Sequence, residues 1–263
     1  MRPVLFLGLL SLAACKEPIV APTELNDISH YLWLEWDNED PAVLVAGIAN
    51  LETWAATVPV DSDNWADRAF VIDPLPTEDA NAEGLTNHGL DPADASGMGE
   101  AYLSMHPPTD HAALFGLEDQ RPLEPASPNS YVRTITEGDA ATFATGDSEV
   151  LVSSNAINRE NFLFNVDYVL MKAWRWVTLD DGRTAVVSRS WAPDSGPVND
   201  DGEQIRQAYS LELWIDHEGG TSLRWLVTWQ DAELGIEQDT LNSLVGGSMN
   251  DAFEAQEEYL DGE

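Results

Sequence analysis

Two arginines stand among three indoles in Trp174-Arg175-Trp176 and Arg189-Ser190-Trp191. Arginine presents bidentate donors and stacks on indole faces, so this set could hold the acidic head of an amphiphile; the same residues would also serve as salt-bridged strand positions on an acidic protein. Near them Phe162, Phe164, Tyr168, Trp225 and Trp229 fall on strand-like runs and could line a pocket, since ligand cavities are mostly apolar with few polar groups. An ordinary filled core needs the same residues. The candidate ligand-binding set is Phe164, Tyr168, Trp174, Arg175, Trp176, Arg189, Trp191, Trp225 and Trp229.

Other constellations offer less. His106 and Asp110 are four apart with His111 adjacent, a spacing that could grip a metal on one helical turn, but Pro107 and Pro108 spoil the turn and no third ligand is evident. Asp61-Ser62-Asp63-Asn64 lacks the Gly and the distal Glu of a calcium loop, which leaves weak adventitious calcium binding. Gly246-Gly247-Ser248-Met249-Asn250 approaches a nucleophile elbow, yet Asn250 replaces the second Gly and no strand precedes it. Carboxylates are so abundant that some pair would fall within catalytic distance by chance. The expectation is a non-enzymatic protein with no catalytic residue, metal or cofactor, an unrecognised hydrolase being the lesser alternative.

The chain has 263 residues, 43% of them hydrophobic, enough for one large domain or two small ones. Twelve basic residues against 47 acidic ones give a formal −35, which repels a phosphate backbone and excludes nucleic acid as a partner. Eight of the 12 lie within 133–224, where 15 acidic residues leave that span at only −7. The acidic surface fits either salty water, where screening tames self-repulsion, or a basic partner; only two of the 12 are Lys, which fits the first better.

One cysteine rules out an internal disulfide and places Cys15 behind a basic start and the 11-residue apolar run Val4–Ala14. That run is too short for a permanent membrane helix of about 20 residues. Leu12-Ala13-Ala14-Cys15 resembles the lipobox of bacterial lipoproteins. The resemblance implies removal of residues 1–14, a diacylglyceryl group on Cys15, and, with Lys16 rather than Asp following, residence in the outer membrane of a Gram-negative bacterium. Residues 15–22 then form a lipidated, proline-stiffened tether, and the acyl chains make the membrane a partner.

Positioning elements follow from periodicity. Thr23 can cap a helix carrying Leu25, Ile28, Leu32 and Trp36, and Asp40-Pro41 restarts a second helix with Leu44, Ile48, Leu51, Ala55 and Val58, so residues 23–58 read as a helical hairpin. The rest, 59–263, reads as an α+β domain. Arg68–Ile72 is strand-like, and Gly99–Met105 and Thr109–Leu117 suit short helices. From Tyr131 the period becomes two, in Tyr131–Ile135, Glu149–Ser153, Phe162–Leu179, Arg183–Trp191, Ile205–Asp216 and Ser222–Gln230. In the last two, Ile205, Tyr209, Leu211, Leu213 and Ile215, then Leu223, Trp225, Val227 and Trp229, each share one face. Asp180-Asp181-Gly182 and His217-Glu218-Gly219-Gly220 are hairpin turns. A helix from about Asp239 to Leu260 closes the chain, Leu241, Leu244, Val245, Ser248, Ala252 and Tyr259 on one side, its Gly246 and Gly247 suggesting close approach to the sheet.

This order resembles the START and polyketide-cyclase-like helix-grip superfamily across roughly 65–260, through Leu223–Trp229 followed by Asp231-Ala232-Glu233-Leu234-Gly235 and the small-residue last helix. Thr109–Asn129 departs from it with its prolines. The resemblance implies a bent sheet whose oily side clasps the last helix around an apolar cavity for a small hydrophobic or amphiphilic ligand. A β-sandwich or barrel with appended helices is the competing fold. An envelope interaction protein with a filled core is the competing function.

Overall fold

The structure is a computed structural model and describes residues 19–76, 84–87, 89–124, 128–160 and 163–262. Cys15, the apolar run before it and Phe162 lie outside those residues. Helix α1 (Leu25–Leu34) tightens into a 3-10 turn at Glu35–Asp37. Thr23 does not cap it: Glu24 holds that position without a capping bond, one residue nearer the helix than the hydroxyl expected to serve. Helix α2 (Pro41–Ala55) begins where its residues dictate, Asp40 accepting from the Ala42 amide at 3.3 Å and Pro41 supplying a preset φ.

Among the described residues three short helices follow, α3 (Trp65–Arg68), α4 (Pro108–Leu114) and α5 (Ala140–Ala144), and then a long one, α6 (Gln238–Asp261). Eight strands, β1 (Ala69–Ile72), β2 (Ser96–Ser104), β3 (Pro128–Glu137), β4 (Val150–Glu160), β5 (Asn165–Thr178), β6 (Thr184–Trp191), β7 (Gln204–His217) and β8 (Thr221–Glu233), form one sheet in the order β1-β2-β8-β7-β6-β5-β4-β3. Every pairing is antiparallel. A single open sheet with β1 and β3 at its edges excludes the sandwich and barrel alternatives.

Of the segment Gly99–Met105, expected to be helical, all but Met105 is strand. At Gly97 an added Cβ would strike Ile72 and come within 2.8 Å of the Trp229 ring, and at Gly99 it would strike Phe70. Glycines here let neighbouring side chains lie flat on β2, which hides the alternation that marks a strand.

The sheet's two faces are covered by different helices. Leu211, Leu213, Trp225, Val227 and Trp229 pack on Ile28, Leu32, Trp33, Leu44, Ile48 and Leu51 of the α1–α2 hairpin in one apolar core. Each such side chain gains roughly 1.5–3 kcal/mol, far more than surface ion pairs at about 0–1 kcal/mol. The oily side therefore faces the hairpin, a correction to the expectation that it clasps the last helix. Helix α6 covers the other face, giving an α+β helix-grip arrangement. Among the described residues no helix is long and apolar enough to cross a membrane.

Candidate functional site

Between α6 and its face of the sheet lies a cavity of about 230 Å³. That exceeds the roughly 150 Å³ that accommodates benzene in an apolar engineered cavity. Strand period two builds it: β5 offers Val166, Tyr168, Leu170, Lys172 and Trp174, β7 offers Ala208, Ser210, Glu212 and Trp214, and β8 offers Arg224, Leu226, Thr228 and Gln230. A bulge between Ile205 and Gln207 reverses the parity of β7, so Ile205 joins the cavity side and leaves the face expected to include Leu211 and Leu213. Leu170, Lys172, Ser210, Leu226, Thr228 and Gln230 are only half-buried at mid-sheet, whereas Leu211, Trp225, Val227 and Trp229 on the reverse face are fully packed. Exposure there is exposure into the cavity.

Helix α6 closes the space with Leu241, Leu244, Val245, Ser248, Met249, Ala252, Phe253 and Gln256. Tyr259, expected on that side, is 42% exposed because it lies in the last turn, away from the lining. The helix is tied down by Arg68, which donates from Nη2 to Asn250 Oδ1 at 2.6 Å, and by the Met105 amide, which donates to Glu257 Oε2 at 2.9 Å.

The cavity is graded along the strands. One end is aliphatic, with Val166, Ile205, Ala208, Leu234 and Leu241 in a common cluster. The other holds charge over aromatic rings. Glu212 accepts from Lys172 Nζ at 3.1 Å and from Arg224 Nη2 at 2.8 Å. Ser190, small and on the intervening strand β6, leaves room for Lys172 to reach across to Glu212. Burial opposes ionisation of Glu212, but those two cations outweigh it and hold the carboxyl below its ordinary range. The Arg224 guanidinium lies 4.1 Å from the Phe253 ring centre and 5.6 Å from that of Trp214. Arg133 donates to Asn155 Oδ1 at 2.8 Å over Trp174, and Arg159 joins Tyr168 and Glu124 at 2.9 and 2.7 Å.

Of the nine candidate ligand residues, Phe164, Tyr168 and Trp174 line the cavity. Trp176 shares the face of Trp174 but packs on Phe143, to whose carbonyl its indole donates at 2.8 Å. Arg175, Arg189, Trp191, Trp225 and Trp229 point the other way, into or beside the hairpin core. Arg175 donates to the carbonyls of Trp36 and Asn38 at 3.2 and 2.7 Å, and Arg189 to that of Trp33 at 3.3 Å while stacking on Trp33, Trp36 and Trp191. They satisfy carbonyls left open where α1 ends, which is why they hold no headgroup. Arg133, Arg159, Lys172, Glu212 and Arg224 are the polar lining that sequence reading missed. Its signal was the alternation that sets Lys172 beside Trp174, Glu212 beside Trp214 and Arg224 beside Leu226 on the same face of each strand, a mixture that a solvated face would not carry.

The remaining polar clusters lie apart from the cavity. His106 meets Asp110 at 3.7 Å and Asp261 at 3.2 Å, and no group of three or more His, Cys, Asp or Glu among the described residues is placed to hold a metal. His111 Nε2 sits 2.8 Å from Ser104 Oγ, both fully buried. Burial, then the charge of Arg224 and His106, pushes His111 well below the usual histidine range, so its imidazole is neutral. Its Nδ1 has no hydrogen-bond partner among the described residues, unlike a histidine oriented by a carboxylate in a catalytic triad.

No family model and no curated protein matches the chain. In structure it is similar to a STAR-related lipid transfer protein from Xanthomonas axonopodis, at 10% identity and TM-score 0.47 over 64% of this chain and 87% of that one. It is also similar to human StAR-related lipid transfer protein 5, at 10% identity and TM-score 0.45 over 84% and 97%, and to the Zhui aromatase/cyclase from Streptomyces sp. R1128, at 9% identity and TM-score 0.42 over 64% and 94%.

Proposed function

We propose that this protein is a lipid-anchored component of a bacterial cell envelope that holds a small apolar or amphiphilic molecule between its sheet and its C-terminal helix. The observation that carries the binding part is the cavity, with its aliphatic cluster at one end and side chains left half-buried at mid-sheet. Burying those walls against a ligand's apolar surface gains about 25 cal/mol per Å². The reading is one of binding without chemistry: of the three serines of the lining, Ser190 and Ser210 bond each other at 2.5 Å and Ser248 lies on α6, and Ser104, which does meet a histidine, is fully buried. A role as a filled-core interaction protein finds less support, because α1 and α2 spend their apolar sides on the sheet.

The anchor rests on the residues around Cys15, and the outer-membrane address on Lys16. Two measurements test the whole. Native mass spectrometry of protein extracted from its producing cells is expected to show a bound small molecule, and the stripped protein to take up an environment-sensitive apolar dye; a bare mass together with no dye uptake sinks the binding reading. Cys15→Ser is expected to lose incorporation of labelled fatty acid and to leave the membrane fraction, and a variant that stays there sinks the anchor.

A further inference from the structure

Within that amphiphile-binding reading, on which this step rests, we infer that the cavity selects molecules with an anionic head, a carboxylate or phosphate, seated at Lys172 in front of the buried charge of Arg224 with the tail towards Ile205 and Leu241. Arg224 is fully buried, yet only its Nη2 has an acceptor; Nε and Nη1 donate to nothing among the described residues. A guanidinium cannot shed its proton to escape that position, so its charge bears on the cavity from directly behind the lining.

Charge points the same way. In a chain of formal −35, the described lining gathers four of the 12 basic residues, Arg133, Arg159, Lys172 and Arg224, and among the described residues only the carboxylates of Glu124 and Glu212. At the aromatic end Glu212 stands between two cations, so that trio carries one net positive charge in a low-dielectric space, and Glu100, the further carboxylate that Arg224 reaches, is itself paired with Arg68. A neutral head could accept the free hydrogen bonds but would leave that charge unbalanced, and a cationic head would add to it. Lys172 is 15% exposed, into the cavity it lines, and spends one ammonium donor on Glu212, so it can meet the same head.

The test displaces the bound dye with alkyl chains of one length bearing carboxylate, phosphate, alcohol or trimethylammonium heads. The anionic pair is expected to bind at least about tenfold more tightly than the alcohol, the gain of one charge-assisted hydrogen bond. Lys172→Gln and Arg224→Gln are expected to erase that preference, the anions falling to within about twofold of the alcohol measured on the same variant. Should Arg224→Gln fail to fold, the half-buried Lys172 variant decides. Equal binding of alcohol and anions, or a preference that survives Lys172→Gln, overturns the headgroup assignment and leaves the amphiphile reading standing. Acetate or inorganic phosphate competing as well as the amphiphiles would mark a free-anion site and overturn it too. Failure of every compound to displace or to bind overturns both.

Discussion

Arg175 and Trp174 are neighbours in sequence and occupy opposite worlds in the molecule: one step along β5 moves a side chain from the hairpin core to the cavity. Arg224, two strands from Arg189 and three from Arg175 and on the opposite parity, keeps two donor nitrogens without a partner among the described residues. Histidine shows the same dependence on surroundings. His111, held neutral by burial and by Arg224 and His106, gives a pH signature whose sign is fixed. The unfolded chain protonates this residue near the ordinary 6.5 and the folded chain resists doing so. Stability is thus intact above that pH and falls as pH drops below it. Glu100, whose carboxyl burial raises, acts in the opposite sense further into acid, so the His111 contribution is best read by difference. Thermal unfolding of the parent and of His111→Gln between about pH 7 and about pH 5.5 is expected to show a shallower acid loss in the variant. Identical slopes would mean that some other group controls that range.

At the scale of elements, much was legible because local chemistry decided it. Asp40-Pro41 opens α2, the turn at Asp181-Gly182 joins β5 to β6, and six meander strands and the last helix fall close to where period and turn residues put them. Three features were hidden because a distant residue decides each: the glycines of β2 answer to Phe70, Ile72 and Trp229, the β7 bulge re-aims Ile205, and which face meets α6 depends on the hairpin taking the oilier one. The glycine pair in α6 separates the two kinds of cause. A Cβ at Gly246 would come within 2.9 Å of Trp65 and 3.3 Å of Met98, whereas one at Gly247 meets nothing within 4 Å. Gly247→Ala is therefore expected to stabilise by about 0.5–1 kcal/mol through helix propensity alone. Gly246→Ala gains the same propensity but must push a rigid indole, and overpacking of about 1–3 kcal/mol makes it net destabilising. Denaturant melts that place both changes on the same side of the parent would remove the packing argument for Gly246.

Across the whole molecule, the basic residues are spent inward. Arg68, Arg133, Arg175, Arg189 and Arg224 are all buried, which leaves a surface dominated by the carboxylates of a chain at −35. Two electrostatic populations follow, and salt acts on them differently. Buried pairs such as Arg68–Glu100 at 2.8 Å are shielded from mobile ions, while repulsion among exposed carboxylates is screened over about 10 Å at 0.1 M and about 3 Å at 1 M. Self-repulsion destabilises the compact state, so melting temperature is expected to rise with sodium chloride, most steeply below about 0.3 M, and then to level as the screening length drops below the spacing of surface charges. Sucrose, which is excluded from protein surfaces but carries no charge, provides the control, since its effect should lack that early steep phase. A melting temperature that falls on the first additions of chloride would show instead that exposed ion pairs such as Arg121–Asp119 at 2.6 Å outweigh the repulsion. The steep rise would tie the composition to ionic surroundings, the setting in which the headgroup assignment has an anion leave solvent for a cation-rich cavity.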